Sequence, residues 1–233
     1  MGLVVAGLSA GGCAYATLHV AAWAWLARGG WLAFLLMAPA ALVSVVFVLE
    51  LASREAPIYR QAKVASARVN VAKTALQIAL FWSVLLGVIP SLLVWVEEAA
   101  GLPRVAFAGQ LAVAAAGFTA LNALGLWSGW TIARLGDGTP LPVDGTRRLV
   151  VAGPYGYVRN PMAVAGLGQG LCVAVGWGSP VVVGYVLLGG LIWNTIVRPS
   201  EEAEIVRLFG ADYERYRDAV RCWLPRRSPY PSR

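Results

Sequence analysis

Gly153 to Val197 reads "GPYGYVRNPMAVAGLGQGLCVAVGWGSPVVVGYVLLGGLIWNTIV". From Pro161 onward this stretch carries no charged residue. It is split by Gly176-Trp177-Gly178-Ser179-Pro180, a glycine and proline turn signal. The two apolar arms, 162–177 and 180–197, are short for a hydrocarbon layer of about 30 Å at about 1.5 Å per helical residue. They read as a helical hairpin that barely spans, or falls short of, the far surface. Ahead of them the chain is rigid and polar, with Pro154 and Pro161 fixing φ and Arg159 supplying charge.

Outward from the hairpin the same pattern repeats. The chain is 58% hydrophobic and only 13% charged, about half the charged share of a soluble domain. Its apolar residues form runs, not amphipathic stripes, so the chain reads as an integral membrane protein. Further spans are expected at 3–27, 31–52, 74–96 and 105–130. The fold class is therefore all-α, a polytopic membrane helical bundle of about six spans including the short C-terminal hairpin, plus a cytoplasmic C-terminal helix. The first run lacks a basic leader and a small-residue cleavage site, and reads as a retained span. Pro90 should kink the third span. Trp31, Trp95, Trp130 and Trp177 fall near span ends, where an interfacial aromatic belt belongs.

Charge sets the orientation. Of 19 basic residues, all but Arg28 and Arg104 lie in 53–73, in 131–161 or after residue 197. Both termini are thus expected in the cytoplasm, with a bacterial inner membrane as the setting. The net charge of +7 is a topology signal; the basic residues meet anionic lipid head groups, and no nucleic acid is implied. Residues 53–73 read as a cytoplasmic helix lying at the surface. Cys13, Cys172 and Cys222 form no CxxC pair, and His19 is the only histidine, so neither a disulfide frame nor a metal site is expected. The simplest reading of Gln77 and Asn122 is hydrogen bonding to a neighbouring helix. The order of an oligomer, if any, is not encoded in these patterns.

Two regions follow: 1–130, an N-terminal transmembrane bundle of four spans without an assigned function, and 131–233, which carries the polar chemistry. After the hairpin, Ser200 could cap a helix that opens with Glu201 and Glu202, with Gly210 as a break before Tyr213 and Tyr216. For the Glu pair itself the plain reading is a favourable first-turn charge.

Taken in order, "GPYGYVRNPM", a short apolar hairpin, "EEAEIVRLFGADYERY" and "WLPR" resemble the isoprenylcysteine carboxyl methyltransferase family and its relatives, the phospholipid methyltransferases. The resemblance covers about residues 131–233. It implies an integral-membrane enzyme using S-adenosylmethionine, releasing S-adenosylhomocysteine, with a lipid-like acceptor entering from the bilayer. It implies cofactor contacts from Gly153, Tyr155, Tyr157, Val158, Arg159, Asn160, Pro161, Asn194 and Glu202, and catalytic roles for Arg198, Glu201 and Glu202. Asn160 stands where the prenyl-cysteine enzymes carry His, and Ala163 where many carry Tyr. Both departures bear on the acceptor, while the cofactor residues keep the pattern. A carboxylate acceptor would be held by Arg159 or Arg198. An amine would need a proton sink, for which Glu201 or Glu202 would serve. Two other classes compete: an NADPH-dependent membrane reductase of the sterol-reductase type, and a non-enzymatic membrane scaffold. The first is longer than this chain. The second leaves the rigid Arg-Asn-Pro segment and the Glu pair unexplained. The soluble dinucleotide pattern is absent, and "GLGQG" at 166–170 reads as close helix packing.

Overall fold

The structure is a computed structural model that describes residues 65–140 and 145–231. The two spans expected at 3–27 and 31–52, with Cys13 and His19, lie outside the described residues. Helix α1 is Ala67–Ala99, α2 is Gln110–Leu135, α3 is Pro161–Trp177, α4 is Pro180–Phe209 and α5 is Ala211–Ala219. Three of these (α1, α2 and α4) are long and apolar enough to cross a membrane, and α3 is a shorter apolar helix. The described part is a helical membrane bundle, as the composition implied.

The cytoplasmic surface helix expected over 53–73 is not separate where it is described. Ser66 caps α1, its hydroxyl accepting from Val69 N, and the helix runs without a break from Ala67 into the apolar segment. No proline or glycine lies between Ala67 and Trp82, so nothing stops the helix at residue 73.

Pro90 acts through register instead of a simple kink. The turn before it, Ser83–Val88, is wound as π-helix. There Ile89 N donates five residues back to Val84 O. The next donor in that register would be residue 90, but proline has no N–H. The Leu85 carbonyl is left over, and the Tyr185 hydroxyl of α4 donates to it at 3.2 Å. Pro199 repeats the device in α4: Trp193–Val197 is π-helical, and Arg198 N reaches back to Trp193 O.

This second device corrects the expected helix start at Glu201. Helix α4 passes through Arg198–Phe209 without interruption, so no cap is needed there. The Ser200 hydroxyl donates back to Ile196 O and Val197 O, the ordinary behaviour of serine inside a helix. Gly210, at φ 51°, does break the helix as expected.

Glycines let the helices close up. Gly125 and Gly129 of α2 face α1; a Cβ at each would stand 2.8 Å from Trp82 and 2.8 Å from Ile78. Gln169 of α3, fully buried, donates to Asn122 of α2 at 3.4 Å, the interhelical bond expected of Asn122.

The hairpin turn is clamped from both sides. Gln110 Nε2 donates to Val175 O at 2.6 Å, covering a free carbonyl at the end of α3. Buried Glu97 accepts from Val181 N at 3.3 Å, and Ser179 Oγ accepts from Val182 N, covering free donors at the start of α4. Val105 N donates to Gly178 O, and Gly178 sits at φ 62° with no room for a Cβ beside Val105 O. The hairpin is short, yet it ends level with the ends of α1 and α2. The boundary placed at residue 130 falls inside α2.

Candidate functional site

At the opposite end of the bundle from this clamp, Gly153–Asn160 forms a compact knot. Pro154 starts a 3₁₀ turn over Gly153–Gly156. Gly153 lies at φ 58°, and a Cβ there would stand 3.0 Å from Thr131 Oγ1. Gly156 is similarly closed in by Pro229 and Tyr230. The close approach both glycines permit is to α2 and to the C-terminal tail.

The tail holds the knot through its backbone. Arg159 N donates to Arg221 O at 2.9 Å, Arg226 N to Tyr157 O at 2.8 Å, and Tyr230 N to Gly156 O at 2.8 Å. The Tyr216 hydroxyl donates to Tyr155 O at 2.7 Å. Asn160, at φ −125° and ψ 66°, precedes Pro161 outside helical geometry, as a pre-proline residue should. Its amide donates to the Cys222 sulfur at 3.3 Å instead of capping α3.

Arg159 is engaged through both terminal nitrogens, while its buried Nε has no hydrogen-bond partner among the described residues. Its Nη1 donates to Arg217 O and Val220 O, the carbonyl end of α5, where a cation opposes the helix dipole. Its Nη2 pairs with Glu202 Oε1 at 3.0 Å, with side chains only 10% and 19% exposed. Arg198 Nε lies 4.0 Å from the same oxygen. Asn194 accepts from Trp223 Nε1 at 2.9 Å, and the Trp193 and Trp223 rings meet edge-on at 5.3 Å.

These elements enclose a cavity of about 540 Å³ between α1, α2, α3, α4, α5 and the knot. Of the residues implied by the motifs, Tyr155, Arg159, Asn160 and Glu201 line it. Gly153, Tyr157, Val158, Pro161, Asn194, Arg198 and Glu202 do not. Tyr213 and Tyr216 line it too. Burial pushes the Tyr213 phenol up to about 12, with the Glu202 carboxylate adding to the effect. Burial also raises Tyr216 and Tyr155, so all three remain neutral at physiological pH. Glu201 makes no hydrogen bond or ion pair among the described residues. The remaining wall is largely apolar. Sequence reading did not pick out Trp82, Gly189 and Trp193, and Gly166, read with the rest of GLGQG as close helix packing, instead lines the cavity with nothing within 4 Å of a Cβ. Glycine inside an apolar run reads equally as packing or as open space. Among the described residues no cluster of His, Cys, Asp and Glu could hold a metal ion.

A polytopic helical membrane protein with a mostly apolar cavity that has one polar end is the class that fold and site define. The family model for phospholipid methyltransferases matches residues 107–212, from just before α2 into α5. It is the family that the motifs resemble. No curated protein and no solved structure matches the chain.

Proposed function

We propose that the chain transfers a methyl group from S-adenosylmethionine to the amine head group of a membrane lipid at the cytoplasmic face, with S-adenosylhomocysteine as product. The observation that carries the choice of acceptor is the pairing pattern at the polar end of the cavity. Arg159 is neutralised by Glu202 and by two carbonyls, whereas Glu201 faces the cavity unpaired. A free carboxylate with its neighbouring arginine occupied favours a cationic or amine ligand and disfavours a carboxylate one.

The cavity suits the donor. About 540 Å³ falls within the usual range of small-molecule sites, roughly 300–1,000 Å³. The first turn of α3 opens on it at Met162 and Ala163, where main-chain N–H groups are suited to a carboxylate. In this reading Tyr155, Asn160 and that turn hold the donor. Gly153, Tyr157, Val158 and Pro161 support this wall from behind, while Asn194, Arg198 and Glu202 support the α4 wall. When bound, the donor supplies an electrophilic methyl group on a positively charged sulfur.

Glu201 takes the proton from the acceptor's ammonium group, which frees the nitrogen lone pair for attack. Arg159 and Glu202 hold the knot against α4 and α5, fixing the two walls relative to each other. The apolar wall excludes water and strengthens the charge interactions inside. Holding the reactants in line can supply about 7–11 kcal/mol at best.

Calorimetry with S-adenosylhomocysteine on the detergent-purified chain tests the donor, and saturable binding is expected. Absence of binding at millimolar ligand would falsify the reading. Methyl transfer to phosphatidylethanolamine, but not to a prenyl-cysteine carboxylate, is expected for the acceptor; the reverse preference would refute the amine assignment.

A further inference from the structure

The glycines of α3 and α4 differ in what surrounds them, and Gly184, open but not lining the cavity, stands apart from those that pack and those that face it. Gly168, Gly170 and Gly190 are packing residues. A Cβ at these positions would stand 2.7 Å from Leu121, 2.8 Å from Val186 and 3.3 Å from Leu167. Gly166 and Gly189 differ. Both line the cavity, and a Cβ built on either meets no atom within 4 Å. A glycine inside a helix costs about 1 kcal/mol relative to alanine, and here no close contact requires it. What these two positions provide is empty volume on two neighbouring helices that line one cavity.

We propose that Gly166 and Gly189 form a slot that holds a hydrocarbon chain of the acceptor and sets how long a chain the site accepts. The wall beside them is apolar, contributed by Trp82, Leu86, Leu167 and Val186. The slot is continuous with the polar end that carries Glu201 and Tyr213. Two of the helices that line it, α1 and α4, are long and apolar enough to cross a membrane, so an occupant would come to it from lipid. An amine at Glu201 and an alkyl chain between α3 and α4 then belong to one molecule. This inference rests on the proposed lipid-amine acceptor and adds where its chain lies.

The test is binding of hexylamine and hexadecylamine to the full chain in nanodiscs of fixed lipid composition, with S-adenosylhomocysteine affinity measured on the same samples. Gly166→Leu and Gly189→Leu should leave hexylamine binding nearly unchanged and weaken hexadecylamine binding by about tenfold, a normal penalty for overfilling a site. Gly166→Ala and Gly189→Ala, for which there is room, should give a smaller loss in the same direction while the protein stays folded. Equal losses for both amines, or no loss for either, would overturn the slot. A wild type that fails to bind S-adenosylhomocysteine but shows the chain-length pattern would sink the donor assignment and leave the slot standing.

Discussion

Glu201 and Glu202 are neighbours in sequence, but one residue of helix rotates a side chain by about 100°. Glu202 meets Arg159 and is held, while Glu201 meets the cavity and is not. Removing the Glu201 charge should therefore affect chemistry more than binding. Glu201→Gln is expected to lower single-turnover methyl transfer by about 10²–10⁴, with S-adenosylhomocysteine affinity within a few-fold of wild type. A variant that turns over normally would show that Glu201 is not the proton acceptor. Glu202→Ala should behave differently. It leaves a guanidinium that is 10% exposed short of its only carboxylate, so stability should fall by up to about 3 kcal/mol in a denaturant titration. At this scale the sequence carried half the answer. The motif order marked Arg159, Asn160, Glu201 and Glu202 together, but the split of roles within the Glu pair comes from helix phase against distant partners. Asn160 with Cys222, 62 residues apart, and Asn194 with Trp223, 29 apart, have no local signal at all.

Prolines inside α1 and α4 show how an element can be read correctly and its consequence missed. Pro90 was legible as a disturbance, but the freed Leu85 carbonyl and its donor on another helix were not. Tyr185→Phe should cost about 1 kcal/mol, because it strands that carbonyl in an apolar setting. In a Pro90→Ala background residue 90 regains its N–H, so the same Tyr185→Phe change should cost less. A double-mutant cycle read by thermal unfolding in detergent should show a coupling of about 0.5 kcal/mol or more; additive effects would mean that Pro90 does not set the register. The tail is an element of another kind, with little regular structure and many specific contacts. Trp223 joins it to the π turn of α4, just before the residues that carry the glutamates. Trp223→Phe keeps a ring against Trp193 and loses the donor to Asn194. It should weaken S-adenosylhomocysteine binding several-fold, since one net hydrogen bond of about 1 kcal/mol fixes that wall. Unchanged affinity would reduce the tail contact to a packing role.

Over the whole molecule, the basic residues sort by the ends of the bundle. The end that holds the hairpin turn carries Arg104, which pairs with Glu98 at 2.7 Å. The end that holds the knot and tail carries the other described arginines, from Arg68 at the start of α1 to Arg227. Sequence could assign loops to two sides because charge bias acts on loops directly. It could not place the cavity, whose walls come from five helices and the segment between α2 and α3, which meet only on folding. In the proposed reaction the positive-inside rule places the cavity's polar end in the cytoplasm, on the side where the proposed donor and lipid head group would meet. Single cysteines at Arg147, Arg227 and Arg104 test this, using an impermeant maleimide on intact cells and on inverted vesicles, against the wild-type chain with its native cysteines. Arg147→Cys and Arg227→Cys should label only in inverted vesicles and Arg104→Cys only in intact cells. Labelling of Arg227→Cys from outside would put the knot, the tail and Glu201 on the wrong side of the membrane for the proposed reaction, whatever the purified protein binds.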